Sequence, residues 1–119
     1  MYSRGDKEFI LDMFLSCKRI LEYTKELSFE DFQKDNKTID ATIRNIEILG
    51  EAVKNISKNF QEKYPDIKWN LIARTRDKLI HFYFGIDVPT LWKTIAMDIP
   101  TLYAKLKKII EIENWEDEI

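Results

Sequence analysis

Apolar residues recur at three- and four-residue spacing along almost the whole chain, and that period constrains the fold more than any other feature. Phe9, Ile10, Met13, Phe14, Cys17, Ile20 and Leu21 form one wide stripe. Ile39, Ile43, Ile46, Leu49, Val53 and Ile56 form a second, which predicts a helix to about Phe60. A third helical stretch runs from about Trp69 to Phe82, and a fourth carries Leu91, Ile95, Ile99, Leu102, Leu106, Ile109 and Ile110. The punctuation agrees. Ser28 followed by Asp31 resembles a capping box for a short helix around Phe29 to Gln33, and Asp35 or Asn36 can cap the next. Tyr64-Pro65-Asp66 breaks the period, Gly85 is a stop, and Asp87 with Pro89 just inside caps the last helix. Pro100 falls in the middle of that helix and is expected to kink it. Gly50 costs a helix about 1 kcal/mol against Ala, so close helix–helix approach is the expected reason for it. The reading is all-α: an up-and-down four-helix bundle with one or two short extra helices, joined by short loops.

The 119 residues fit a single domain, 1–119, with an acidic end at 111–119 that holds five acids and no base. Three Gly and three Pro are too few for a sandwich or barrel with many tight turns. One Cys excludes an internal disulfide and a thiolate metal cluster, and one His excludes a multi-histidine metal site within one chain. A formal net charge of -2 excludes a wholly basic, histone-like binder, so nucleic acid must be met by a local patch. No apolar run approaches the roughly 18 residues a membrane span needs, and residues 1–6 do not read as a signal peptide. The expectation is a soluble protein of a reducing compartment, most simply the cytoplasm.

Charge then points to a segment. From Lys68 to His81 stand Lys68, Arg74, Arg76 and Lys78 against Asp77 alone. Such a cluster is either a solvated helix face or a phosphate site. Histidine is the side chain whose unperturbed charge change lies near neutral pH, and His81, a lone His among apolar residues, is either a hydrogen-bonded boundary residue or a catalyst. Asp77 and His81 lie one turn apart on one face, so Asp77 can orient the imidazole. Arg76 and His81 are about 140° apart around an ideal helix. They meet only if the helix ends or distorts near His81, or if two copies of the segment build one site across a two-fold axis.

The segment Arg76-Asp-Lys-Leu-Ile-His81-Phe-Tyr83 resembles the Arg, four residues, His, one residue, Tyr signature of HEPN-domain proteins of the HepT toxin family. Ile43-Arg-Asn-Ile-Glu-Ile-Leu-Gly-Glu-Ala52 is similar to the family's second-helix segment. Tyr64-Pro-Asp-Ile-Lys-Trp69, Ile72-Ala73 and Tyr83-Phe-Gly-Ile-Asp87 resemble the stretch around its motif. Leu91-Trp92 and Asp98-Ile-Pro100 resemble the start of its last helix. The resemblance implies an all-α homodimer and a metal-independent ribonuclease needing no cofactor, the toxin of a prokaryotic toxin–antitoxin pair. It implies a small nucleotidyltransferase antitoxin of the minimal type (MntA) as partner, one that transfers AMP units to the motif tyrosine. The matching positions are Arg76 and His81 as the catalytic pair, Asp77 as the polar residue after the Arg, and Tyr83 as the modified hydroxyl. Arg74-Thr75 departs from the Gly-Met often found before the motif Arg. Arg74 either adds an RNA contact or pairs with an acid such as Glu51.

RNA carries its own nucleophile, the 2′-hydroxyl, so a metal-free nuclease needs a proton acceptor, a proton donor and positive charge at the phosphorane. His81 suits the proton transfers and Arg76 the charge, through its fork of donors. Lys78 and Arg44 are further candidates for phosphate contact, although Glu47 is placed to pair with Arg44 at i, i+3. Tyr83 is either a packed aromatic or an exposed modification site. Cys17, Trp69, Trp92 and Trp115 read as packing residues. Two other classes stay open: a non-catalytic module that binds a nucleotide or partner, and a dimerising bundle that only holds the transferase.

Overall fold

The structure, a computed structural model, describes residues 4–81 and 87–119, with the side chains of residues 79–81 left out. Among the described residues, seven α-helices follow in order: α1 (Asp6–Thr24), α2 (Phe29–Lys34), α3 (Asn36–Asn55), α4 (Lys58–Lys63), α5 (Trp69–His81), α6 (Val88–Lys93) and α7 (Ile99–Ile112). A π-helical turn, Thr94–Asp98, joins α6 to α7, so Val88–Ile112 is one long helical run, and a 3-10 turn, Glu116–Glu118, follows it. No strand occurs among the described residues. The protein is an all-α bundle of four longer helical runs with two short helices between them. α3 packs against both α1 and α5, and α1 packs against α7.

The apolar stripes bury as their spacing predicts. Ile10, Met13, Cys17 and Ile20 of α1 meet Ile43, Ile46, Leu49 and Val53 of α3 and Leu106 and Ile110 of α7 in one continuous core. Each such side chain contributes about 1.5–3 kcal/mol by leaving water. Burial pushes the Cys17 thiol up to about 12, which leaves it an inert core residue. The three tryptophans pack. Trp92 lies against Phe29 and Phe32, Trp115 stacks on Phe60, and Trp69 is buried.

The caps fall where the sequence places them. Ser28 Oγ accepts the Asp31 amide at 3.1 Å and the Asp31 carboxylate accepts the Ser28 amide, closing the box. Asp35 accepts the amide and hydroxyl of Thr38, and Asp87 does the same for Thr90. Two expectations change. The second long helix ends at Asn55 rather than near Phe60, because Ser57 becomes the cap of a new helix and accepts the Phe60 amide. Asp6 fixes that break by accepting both the amide and the hydroxyl of Ser57 at 2.7 Å. Pro100 lies in the first turn of α7, and the disturbance precedes it as a π-helical turn. Proline lacks the N–H that the Ala96 carbonyl would take and crowds that carbonyl, and a wider turn relieves both. After α7, Asn114 adopts φ 62° and the Trp115 amide reaches back to the Ile110 carbonyl at 2.9 Å, a Schellman ending.

Candidate functional site

The start of α5 is fixed by its neighbours. The Trp69 indole N–H donates to the carbonyls of Gln61 and Tyr64, at 3.2 and 3.1 Å. The Tyr64 hydroxyl donates to Glu113, which also holds Lys63 at 2.6 Å. This bond to Lys63, with that of Tyr64, keeps the Glu113 carboxyl below the usual range, while burial and then Glu113 push the Tyr64 hydroxyl up. Lys105 of α7 donates to the Asp66 carbonyl at 2.8 Å. The loop before α5 is therefore held from two sides, which sets where the helix points.

Arg76 lies one turn beyond Ile72, on the face of α5 that meets α3. Its stem lies directly on Gly50. A Cβ built on Gly50 would overlap the Cβ and Cγ of Arg76 and lie 3.1 Å from its Cδ. Gly50 is thus the close approach that its helical position implied, and the residue it makes room for is Arg76.

Around that contact four charges alternate across the seam. The Arg76 Nη2 pairs with Glu51 and its Nη1 with Asp77 Oδ1 at 3.0 Å. Lys54, one turn on from Glu51 in α3, reaches the same Asp77 oxygen at 2.9 Å. The bonds from Lys54 and then Arg76 hold the Asp77 carboxyl below the usual carboxylate range. The Arg76 side chain is 22% exposed, against 53% for Glu51. Its Nε is buried and has no hydrogen-bond partner among the described residues.

The structure thus brings together Arg76 and Asp77 and adds Glu51, Lys54 and Gly50 from α3. Glu51 pairs with Arg76 and not with Arg74, so that expected alternative for Arg74 is corrected. Arg74 and Lys78 are exposed and have no ion-pair partner among the described residues. Arg44 meets Glu47 at 3.9 Å with its side chain 73% exposed, a loose surface pair two turns before Glu51. His81 is the last residue described in α5, and its side chain lies outside the described residues, as do Tyr83 and Gly85 entirely. Beside this seam, α3, α5 and α7 border a cavity of about 220 Å³, lined by Ile46, Leu49, Leu71, Ile99 and Leu102 with Lys68 and Lys105 among its polar groups. Among the described residues no group of His, Cys, Asp and Glu is placed to hold a metal ion. None of their helices is long and apolar enough to cross a membrane.

Sequence reasoning missed Lys54 and the partnership of Glu51. The available signal was an acid and a base three residues apart beside a helical Gly, facing an adjacent base and acid on another helix.

The all-α bundle is consistent with a HEPN-type helical domain. The family model for HepT-like ribonucleases matches residues 13–109, and the chain belongs to that family. It is 49% identical over 106 residues to a probable ribonuclease HepT of Thermococcus cleftensis, covering 89% of this chain and 96% of that protein. It is 40% identical over 118 residues to a putative RNase of Methanocaldococcus jannaschii, covering 99% and 98%. A putative RNase of Caldanaerobacter subterraneus is 42% identical over 108 residues, covering 91% and 96%. No solved structure matches.

Proposed function

We propose that this protein is a metal-independent endoribonuclease, the toxin of a prokaryotic toxin–antitoxin pair, acting in the cytoplasm as a homodimer. The observation that carries the reading is the Arg76 side chain, its stem seated on Gly50 and its guanidinium held by Glu51 and Asp77, five residues before the motif His. Arg76 holds the scissile phosphate and stabilises the charge that builds on the phosphorane. His81 takes the proton of the 2′-hydroxyl as that oxygen attacks phosphorus, and the 5′-oxygen leaves with a proton from the His81 of the second copy. The two-fold arrangement supplies both proton-transfer groups and places Arg76 beside an imidazole that it does not meet on one rigid helix. Both described contacts of Asp77 fall on Oδ1, which leaves Oδ2 to orient the imidazole. Arg74 and Lys78, exposed on the same helix, extend the contact along the strand, with Arg44 at its margin.

Tyr83 is the residue through which the toxin is silenced. AMP transferred to its hydroxyl by a nucleotidyltransferase antitoxin adds bulk and negative charge two residues from His81, which repels RNA. Mass spectrometry after incubation with such a transferase and ATP is expected to place the adduct on Tyr83. An adduct elsewhere removes that assignment.

The decisive experiment is RNA cleavage by unmodified protein in chelator, beside His81→Ala. Cleavage by the parent alone is the expected result. Cleavage that survives the replacement overturns the role of His81. Absence of cleavage by either, on several RNAs, leaves a module that binds nucleotide or transferase without catalysis.

A further inference from the structure

Arg76 has two carboxylate partners, and they are not equivalent. Asp77 follows it on the same helix and is held again by Lys54, so its contact to Nη1 travels with α5. Glu51 comes from α3, engages Nη2, and is more than half exposed. Nε–H and one Nη2 hydrogen point the same way on a planar guanidinium and form an edge that matches two oxygens of one anion. Glu51 takes the Nη2 position, while Nε has no partner among the described residues. The cation is thus set on the protein side and the acid on the solvent side.

The four charges of the seam also sum to zero, two cations against two carboxylates. A phosphodiester that approaches with Glu51 in place meets no net attraction from them. One that displaces Glu51 gains the Nη2 position.

We infer that Glu51 is a resident competitor for the RNA phosphate at Arg76. It holds the guanidinium in position while the site is empty and is displaced when the strand enters. The inference rests on the reading of Arg76 as the phosphate ligand. Its consequence is selectivity. A small anion does not outcompete a tethered carboxylate, whereas a strand that makes further phosphate contacts does.

The test is binding of a fluorescent single-stranded RNA, 2′-O-methylated throughout so that it lacks the cleaving nucleophile, to the full-length protein in chelator. Parent, Glu51→Gln, Arg76→Met and the double variant are compared by anisotropy, with thermal melting to confirm folding. Glu51→Gln is expected to tighten binding about fivefold, the scale of one exposed ion pair. The gain is expected to vanish in the Arg76→Met background. Glu51→Ser, which also lacks the carboxylate, is run beside it and is expected to behave the same way. Unchanged or weaker binding by the folded Glu51 variants overturns the competitor role. So does equal tightening with and without Arg76, which is a general charge effect. If Arg76→Met binds as tightly as the parent, the phosphate reading of Arg76 falls, and the inference falls with it.

Discussion

Among the described residues, the Glu113 cluster and the Arg76 cluster each join distant helices, and they are built in opposite ways. At the end of α7, Glu113 is the enclosed member, 17% exposed, and its carboxylate is gripped by Lys63 and the Tyr64 hydroxyl. Phe60 packs against Tyr64 and stacks on Trp115, giving the cluster an aromatic floor. On the α3–α5 seam the enclosed member is the cation Arg76, and its acids Glu51 and Asp77 are about half exposed. An enclosed acid with two donors is a closed latch. An enclosed cation whose acids face water can exchange one of them for an anion from solution. The first arrangement serves stability, and the second suits a site.

That contrast can be broken by substitution. The largest effect is expected at the seam: Arg76→Ala should lower RNA cleavage by about 10²-fold or more, read in a chelated cleavage assay. A variant that cleaves like the parent would make the seam a second latch. Gly50→Ala comes next. The added Cβ has no room beside the Arg76 stem, so helix propensity is outweighed by an overpacking cost of about 1–3 kcal/mol. A lower melting temperature and weaker cleavage are expected together, and a rise in melting temperature would contradict the close approach.

Glu113→Gln is expected to act the other way round. It should lower the melting temperature by a few degrees, about 1 kcal/mol, and leave cleavage intact. The pH dependence follows from the depressed Glu113 carboxyl. Its contribution is full above the unfolded carboxylate pKa and is lost as pH falls through the lower folded value. Acid melts of the parent should therefore fall more steeply than those of Glu113→Gln. Tyr64, shifted upward, loses its share only as pH rises through its folded value, so the latch is complete at neutral pH. The smallest effect is at the rim. Arg74→Ala should weaken RNA binding a few-fold and reduce the salt slope by about one, in a titration over salt concentration.

The helices were legible because their signals are local. A stripe such as Ile39, Ile43 and Ile46, or a cap such as Asp35 on Thr38, needs only residues within a turn or two. The break at Ser57 was not legible, since Asp6, which accepts its amide and hydroxyl, lies 51 residues away. The π-helical turn was half legible. Pro100 announced a disturbance, and the geometry of relief placed it one turn earlier.

The site divides along the same line. The Arg76-to-Tyr83 motif pointed to the candidate chemistry through its resemblance to the family signature, and its residue types suit proton transfer and phosphate recognition. Gly50 likewise announced a close approach through its cost to a helix. Which side chain fills that approach, and which acid holds it, was decided by tertiary structure. Glu51 and Lys54 look in sequence like any solvated pair on a helix face. They become partners of Arg76 and Asp77 only when α3 and α5 pack close enough for ionic contact, a distance set by the missing Cβ of Gly50.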